Sequence, residues 1–320
     1  MTLTPHDELT HPPDDSAGWQ ENVYFIGMDP ESRSGFLLHV AHLPALGLVE
    51  AIATVSIGDT LVSHIVEQPA EHCYAARGFD YEIVRPFDHV RVGYEGLGYP
   101  GPPLTAGSGS VPFGLRLEMS SPAAPISYND LYEKVAAGSD HYEVGGTWTG
   151  ELWCGTRRVS TTALMIRDHS WGPRDYRADQ GWWTPLVFDD PPVFIAAASF
   201  LQSRRWAGTL AMSDANGVRQ SKRTLDQPWV RPNGLPVVGG FDSASILADL
   251  PTGIETFQAA AVIQIPIAWR RLAASGLHHI GVATFATVQW GGRQGFVDLE
   301  LAYPQDSPFT MAPERNEERA

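Results

Sequence analysis

The feature that most constrains this chain is a period-two alternation of apolar and polar side chains that recurs along most of its length. Stretches such as "ENVYFIGM", "SGFLLHVAHL", "LVEAIATVSIG" and "FDYEIVRPFDHVRVGYEG" alternate in this way, and a strand places successive side chains on opposite faces. The runs are short and are punctuated by turn chemistry: "DPES", "CGTR", the Asn-Gly-type turn "DANG" and "GGRQG". With 31 glycines and 25 prolines among 320 residues, turns are plentiful, and a 43% hydrophobic content is enough for a sizeable core. The pattern predicts an all-β protein of antiparallel strands.

One segment departs from it. "SYNDLYEKVAAG" carries helix start and stop signals, with Ser127 as N-cap and Gly138 as stop, so a short helix is expected there. It follows "LGYPGPPLTAGSGSVPFG", whose Gly and Pro content reads as a long loop. Strand patterns before and after residues 172–182 form two sets, each the size of a small barrel. The expected organisation is a mobile polar tail over 1–18, an N-terminal β domain over 19–172, a C-terminal β domain over 173–305 and a second tail over 306–320.

Several function classes are excluded. The formal charge of −15 argues against nucleic acid and anionic membrane surfaces as partners. No βαβ alternation, G-x-G-x-x-G or Walker-type loop is present, so nucleotide cofactors are not expected, and no G-x-S-x-G marks a serine hydrolase. The acidic, Pro-rich start has no apolar h-region and no run is long enough for a membrane span, which makes a cytoplasmic location the expectation. Cys73 and Cys154 form no C-x-x-C pair. His39 and His42 fall on opposite strand faces, as do His278 and His279, so no metal is expected. Asp298 and Glu300 share a face of the last strand with Phe296, from which they could reach a pocket mouth, although an exposed carboxylate row is the commoner explanation.

The densest chemistry lies in "MIRDHSWGPRDY", residues 165–176. As a strand, it puts Arg167, His169 and Trp171 on one face and Ile166, Asp168 and Ser170 on the other. A cation, an imidazole and an indole on one face suit a closed pocket, where histidine transfers protons and an indole stabilises positive charge. Asp168, Arg174 and Asp175 are equally suited to a structural ion-pair network.

With "GGTWTGEL", this motif resembles the two-domain lipocalin-like proteins related to carotenoid 1,2-hydratase (hydroxyneurosporene synthase) and the AttH group. The resemblance spans about residues 19–303 and is specific at 167–176. It implies two consecutive lipocalin-like antiparallel β-barrels or half-barrels with a short helix. It also implies chemistry of the kind such proteins perform: protonation and hydration of an isoprenoid double bond, or Diels–Alder cyclisation. The hydratases' His-x-Trp pair corresponds to His169 and Trp171. Those enzymes also use a Tyr and an Asp from farther along the chain, neither with a unique counterpart here; Asp189 or Asp190 is a candidate for the acid, and Tyr176 stands where many relatives carry tryptophan.

The resulting expectation is a cofactor-independent hydro-lyase or isomerase acting on an apolar unsaturated small molecule. His169, Trp171 and Asp168 are its catalytic candidates, and Arg167, Arg174, Tyr176 and Asp189 its substrate-binding ones. A pericyclase using the same cavity and a non-catalytic carrier of apolar ligands are the alternatives.

Overall fold

In the computed structural model the described residues are 3–16, 18–101, 109–129, 140–173, 180–202, 205–221, 230–232, 242–250, 252–268 and 279–304. The first sheet contains β1 (Trp19–Asp29), β2 (Ser34–Leu43), β3 (Leu48–Ile57), β4 (Thr60–Pro69) and β5 (Phe79–Arg85). It continues with β6 (His89–Pro100), β7 (Val111–Ser120), β8 (Ile126–Ser127), β9 (Asp140–Cys154) and β10 (Arg157–Pro173). The second contains β11 (Gln180–Trp183), β12 (Leu186–Phe188), β13 (Val193–Gln202), β14 (Arg205–Asp214) and β15 (Gly217–Gln220). Its remaining strands are β16 (Val230–Pro232), β17 (Ser243–Leu250), β18 (Gly253–Ala268), β19 (His279–Trp290) and β20 (Arg293–Pro304). All pairings are antiparallel, as the alternation predicts.

The first sheet is a closed barrel. Its order is β10-β1-β2-β3-β4-β6-β7-β9, and β9 pairs again with β10, while β5 and β8 lie off this ring. The 17-residue β10 makes the closure possible, because it pairs with β9 along most of its length and with β1 over its second half. The second sheet runs β15-β14-β13-β11-β20-β19-β18-β17-β16, and among the described residues no pairing joins its ends. The short strands β11 and β12 both lie between β13 and β20.

Three apolar clusters organise the packing. One fills the first barrel, around Val23, Phe25, Leu38, Val40, Phe113 and Trp148. Another belongs to the second sheet, around Trp182, Ile195, Ile246, Phe257 and Leu299. The third lies between the sheets and takes Tyr24, Ile26, Leu37 and Ile166 from one and Phe194, Phe285 and Phe296 from the other. Gly145 sets their approach: a Cβ there would lie 2.3 Å from Cδ2 of Phe194, so only glycine admits that ring.

Local details depart from the sequence expectation at several places. The Gly/Pro-rich stretch after Leu97 is partly strand, since β6 runs to Pro100 and β7 begins at Val111. The β14–β15 turn closes with Asp214 opposite Gly217, so its central residues are Ala215 and Asn216, not Asn-Gly. The expected helix falls largely on residues 130–139, outside the described residues; Ser127 Oγ does accept the Asn129 N–H at 3.3 Å. The N-terminal stretch, read as a polar tail with nothing to bury, forms a 3-10 turn at Pro5–Glu8 and places Glu8 at 2% exposure.

Candidate functional site

The two faces of β10 serve two different clusters. Arg167, His169 and Trp171 share the barrel-interior face with Met165, whereas Ile166, Asp168 and Ser170 face the second sheet. The alternation read from the motif is therefore the observed one, and the charged residues do lie in a core strand.

Inside the barrel, Arg167 meets Glu8. Their bond is forked, with Nη1 to Oε1 at 2.7 Å and Nη2 to Oε2 at 3.2 Å, and both side chains are almost fully buried. Glu8 also accepts from the Tyr81 hydroxyl (3.2 Å) and the Phe87 backbone N–H (2.9 Å). Burial raises the Glu8 carboxyl, but the guanidinium beside it outweighs this and leaves it below its ordinary value. Arg167, expected to bind substrate, is thus held in an ion pair with the N-terminal segment.

His169 lies next to Glu21 on β1. Its Nε2 is 2.9 Å from Glu21 Oε1 and 3.1 Å from the Tyr74 hydroxyl. His11 approaches the same carboxylate with Nδ1 at 3.0 Å, and its backbone N–H reaches both oxygens at 3.1 Å. The His11 ring stacks on Trp171, 4.0 Å between centroids and 4° from parallel. Burial raises the Glu21 carboxyl, yet the hydrogen bonds from His11 and His169 prevail and hold it at about 2. Burial pulls the His169 imidazole below its usual range, against the attraction of Glu21. Two imidazoles and a carboxylate are metal-ligand types; His11 and Glu21 lie ten residues apart and His169 comes from 148 residues beyond Glu21.

On the other face, strand register aligns His39, Tyr24, Asp168 and Glu143 across β2, β1, β10 and β9. The second sheet answers with Trp183 and Glu300, paired neighbours on β11 and β20, and with Asp298 one alternation away. The Tyr24 hydroxyl donates to Glu300 Oε2 at 3.3 Å. Glu143 accepts from the Tyr128 hydroxyl at 2.8 Å and from the Trp183 indole N–H. His141 Nε2 lies 3.6 Å from an oxygen of both Glu143 and Asp168.

Burial dominates the electrostatics of this cluster. It pushes the Glu143 carboxyl well above its ordinary value despite the Trp183 hydrogen bond, and the charge of Asp168 adds to the rise. Burial, then the neighbouring Glu300, does the same to Asp298. Burial lifts Glu300 to about 7, with the Tyr24 hydrogen bond opposing. Carboxyl groups whose ionisation burial disfavours thus sit between two largely apolar faces, an arrangement suited to general-acid chemistry.

The row at Asp298 and Glu300 is consequently not the exposed one the alternation suggested: Asp298 is fully buried and Glu300 half-buried. Among the described residues, His141 is a charged neighbour of Asp168. Asp189 stands apart on an exposed turn, beside a cavity of about 10 Å³, and Asp190 is exposed with it. Arg174, Asp175 and Tyr176 lie outside the described residues. Sequence reading passed over Glu8, His11, Glu21, Tyr24, Tyr74, His141 and Glu143. The one local signal was a carboxylate within otherwise apolar strand patterns, at Glu21 and Glu143.

A family model described as "Domain of unknown function (DUF7064)" matches residues 4–305. No curated protein matches the chain. Among solved structures, a protein described as an AttH (NE1406) from Nitrosomonas europaea is similar at a TM-score of 0.61 and 17% identity, over 88% of this chain and 92% of that one. CghA with Sch210972 is similar at 0.56 and 11%, over 91% and 90%. Kievitone hydratase from Nectria haematococca is similar at 0.52 and 10%, over 94% and 93%. At these identities the likeness establishes the fold, and it is the lipocalin-like all-β fold that the motif implied.

Proposed function

Because the chain belongs to the DUF7064 family, whose description names no activity, we propose its function from the site: a lyase or isomerase that protonates a C=C bond of an apolar, unsaturated small molecule. The observation that carries this reading is the cluster of Glu143, Asp298 and Glu300 between the sheets, where burial disfavours ionisation and lifts Glu300 to about 7. A general acid works best when its pKa lies near the operating pH, and Glu300 meets that condition. The hydratase among the structural neighbours supports the reaction type.

In this mechanism the substrate enters past Glu300 and Trp183, the partly exposed members of the cluster. The Glu300 carboxyl transfers its proton to one alkene carbon and leaves a carbocation on the other. The Tyr24 and Trp183 rings, 5.6 Å apart, present π faces that stabilise the cation. Water adds to the cation, and Asp168, beside His141, takes the proton the water releases. Tyr24, hydrogen-bonded to Glu300 and the register neighbour of Asp168, returns that proton to Glu300. Alkene and water have become an alcohol, and the enzyme is unchanged. His169 and Trp171 face away from this cluster and take no part in the step.

A cyclisation reading uses the same donors without proton transfer, since a neutral carboxyl hydrogen-bonds a substrate carbonyl. A panel of prenylated phenols, terpenoids and linear polyenes, incubated in D2O and analysed by mass spectrometry, separates the readings. Hydration adds the elements of water and one carbon-bound deuterium; cyclisation adds neither. Glu300→Gln should lower hydration by about 100-fold or more while leaving ligand affinity intact. Saturable binding of an apolar ligand without turnover would make the protein a carrier and overturn the reading.

A further inference from the structure

We propose that His11, Glu21 and His169 form a binding site for one divalent transition cation of the zinc type, which clasps the N-terminal segment to the interior of the first barrel. The site is independent of the carboxyl cluster between the sheets, which lies on the opposite face of β1 and β10.

The first argument is geometric. His11 Nδ1, a Glu21 carboxylate oxygen and His169 Nε2 all lie within 4.8 Å of one another. Zinc bonds of about 2.0–2.1 Å to nitrogen and oxygen set tetrahedral donor pairs roughly 3.3 Å apart. The Glu21 contacts of 3.0 and 2.9 Å need to open by only a few tenths of an ångström.

The second argument is charge. Glu21 has no exposed surface, and every partner its carboxylate has among the described residues is His11, His169 or Cys73. The nearby guanidinium, Arg167, is already engaged by Glu8. Among the described residues no Lys or Arg meets this buried carboxylate, and a bound cation supplies a full positive charge at close range.

Valence gives a third. His169 Nε2 has two oxygen neighbours, Glu21 Oε1 and the Tyr74 hydroxyl, but only one hydrogen or one lone pair to offer. A cation at the centre accepts the lone pair and the carboxylate together and leaves its fourth position to the Tyr74 hydroxyl or a water. Tyr74 reaches this place with a φ of 62°, in the left-handed region that a non-glycine residue adopts at a cost.

The donor set selects the class of metal. Two imidazoles and one carboxylate suit zinc, cobalt, nickel or copper, and do not suit calcium or magnesium, which take oxygen ligands. Trp171, stacked on His11, is a positioning residue that holds the His11 ring toward Glu21.

The test uses tag-free full-length protein, stripped with a chelator and titrated with Co2+. One equivalent should bind with the visible absorption of four-coordinate cobalt, Zn2+ should displace it, and saturation should raise the melting temperature. His11→Ala should weaken Co2+ binding about 100-fold, whereas substitution of the exposed His6 or His72 by alanine should leave it unchanged. Should His11→Ala not fold, zinc-edge X-ray absorption on the wild-type protein decides, and two imidazoles are expected in the first shell. Absence of saturable binding, binding indifferent to His11→Ala, or a shell with fewer than two imidazoles would overturn the proposal.

Discussion

Glu8 and Arg167, 159 residues apart in sequence, form a forked ion pair inside the first barrel with both side chains almost wholly buried. The pair joins the N-terminal segment to β10, the strand that closes the barrel. Removing one partner strands the other charge, which costs on the order of 3–5 kcal/mol. Glu8→Gln and Arg167→Met should each lower the melting temperature by a clear margin. The double change Glu8→Leu/Arg167→Met should recover much of that loss, because no charge then remains buried alone. Single variants that melt like the wild type would remove the pair from the list of stabilising contacts.

Stability should fall with pH because of Glu300. In the unfolded chain its carboxyl ionises near its ordinary 4.5, while burial keeps the proton on until about 7 in the folded protein. The contribution is therefore complete below 4.5 and is lost as pH rises to 7, amounting to at most about 3 kcal/mol. Denaturant melts of the wild type and Glu300→Gln across this range should show the wild type losing stability relative to the variant. Parallel curves would mean that Glu300 titrates normally.

Gly145→Ala tests how closely the sheets approach. The added methyl would lie 2.3 Å from the Phe194 ring, so the two faces must separate or the ring must move. Overpacking of this kind costs roughly 1–3 kcal/mol. Adding Phe194→Leu should restore part of the loss, and a neutral Gly145→Ala would show that the interface yields easily.

Cys73 and Cys154 are free thiols, and burial raises both above their ordinary range, Cys154 to about 12. Ellman's reagent should count two thiols in denaturant without reductant. In the native protein at pH 8 Cys154 should react at least about tenfold more slowly, because the thiolate is the attacking species. A count of zero in denaturant would establish a disulfide instead.

Much of the fold is legible in the alternation, since strand faces are a local property. Reading Arg167, His169 and Trp171 on one face and Asp168 on the other needed only the period of two, and the structure agrees. The reading faltered where the same pattern serves two environments. Asp298 and Glu300 alternate as they would on a solvent-facing strand, and only the packing of the first sheet against β20 takes them out of water. The N-terminal segment has no period at all, so nothing in its own residues shows that Glu8 and His11 are interior.

Local pattern was enough to specify the class of architecture, the antiparallel strands and the division of β10 into two chemically distinct faces. These follow from backbone geometry and from the run of side chains along a few consecutive residues. Tertiary structure alone decided that β9 and β10 close a barrel and that Tyr24, Asp168 and Glu143 align in one row facing Glu300. It alone brought His11, Glu21 and His169 together. Contacts across such separations leave no periodic trace in the chain. The protonation of a carboxyl depends on how much water surrounds it, which is settled only when the sheets pack.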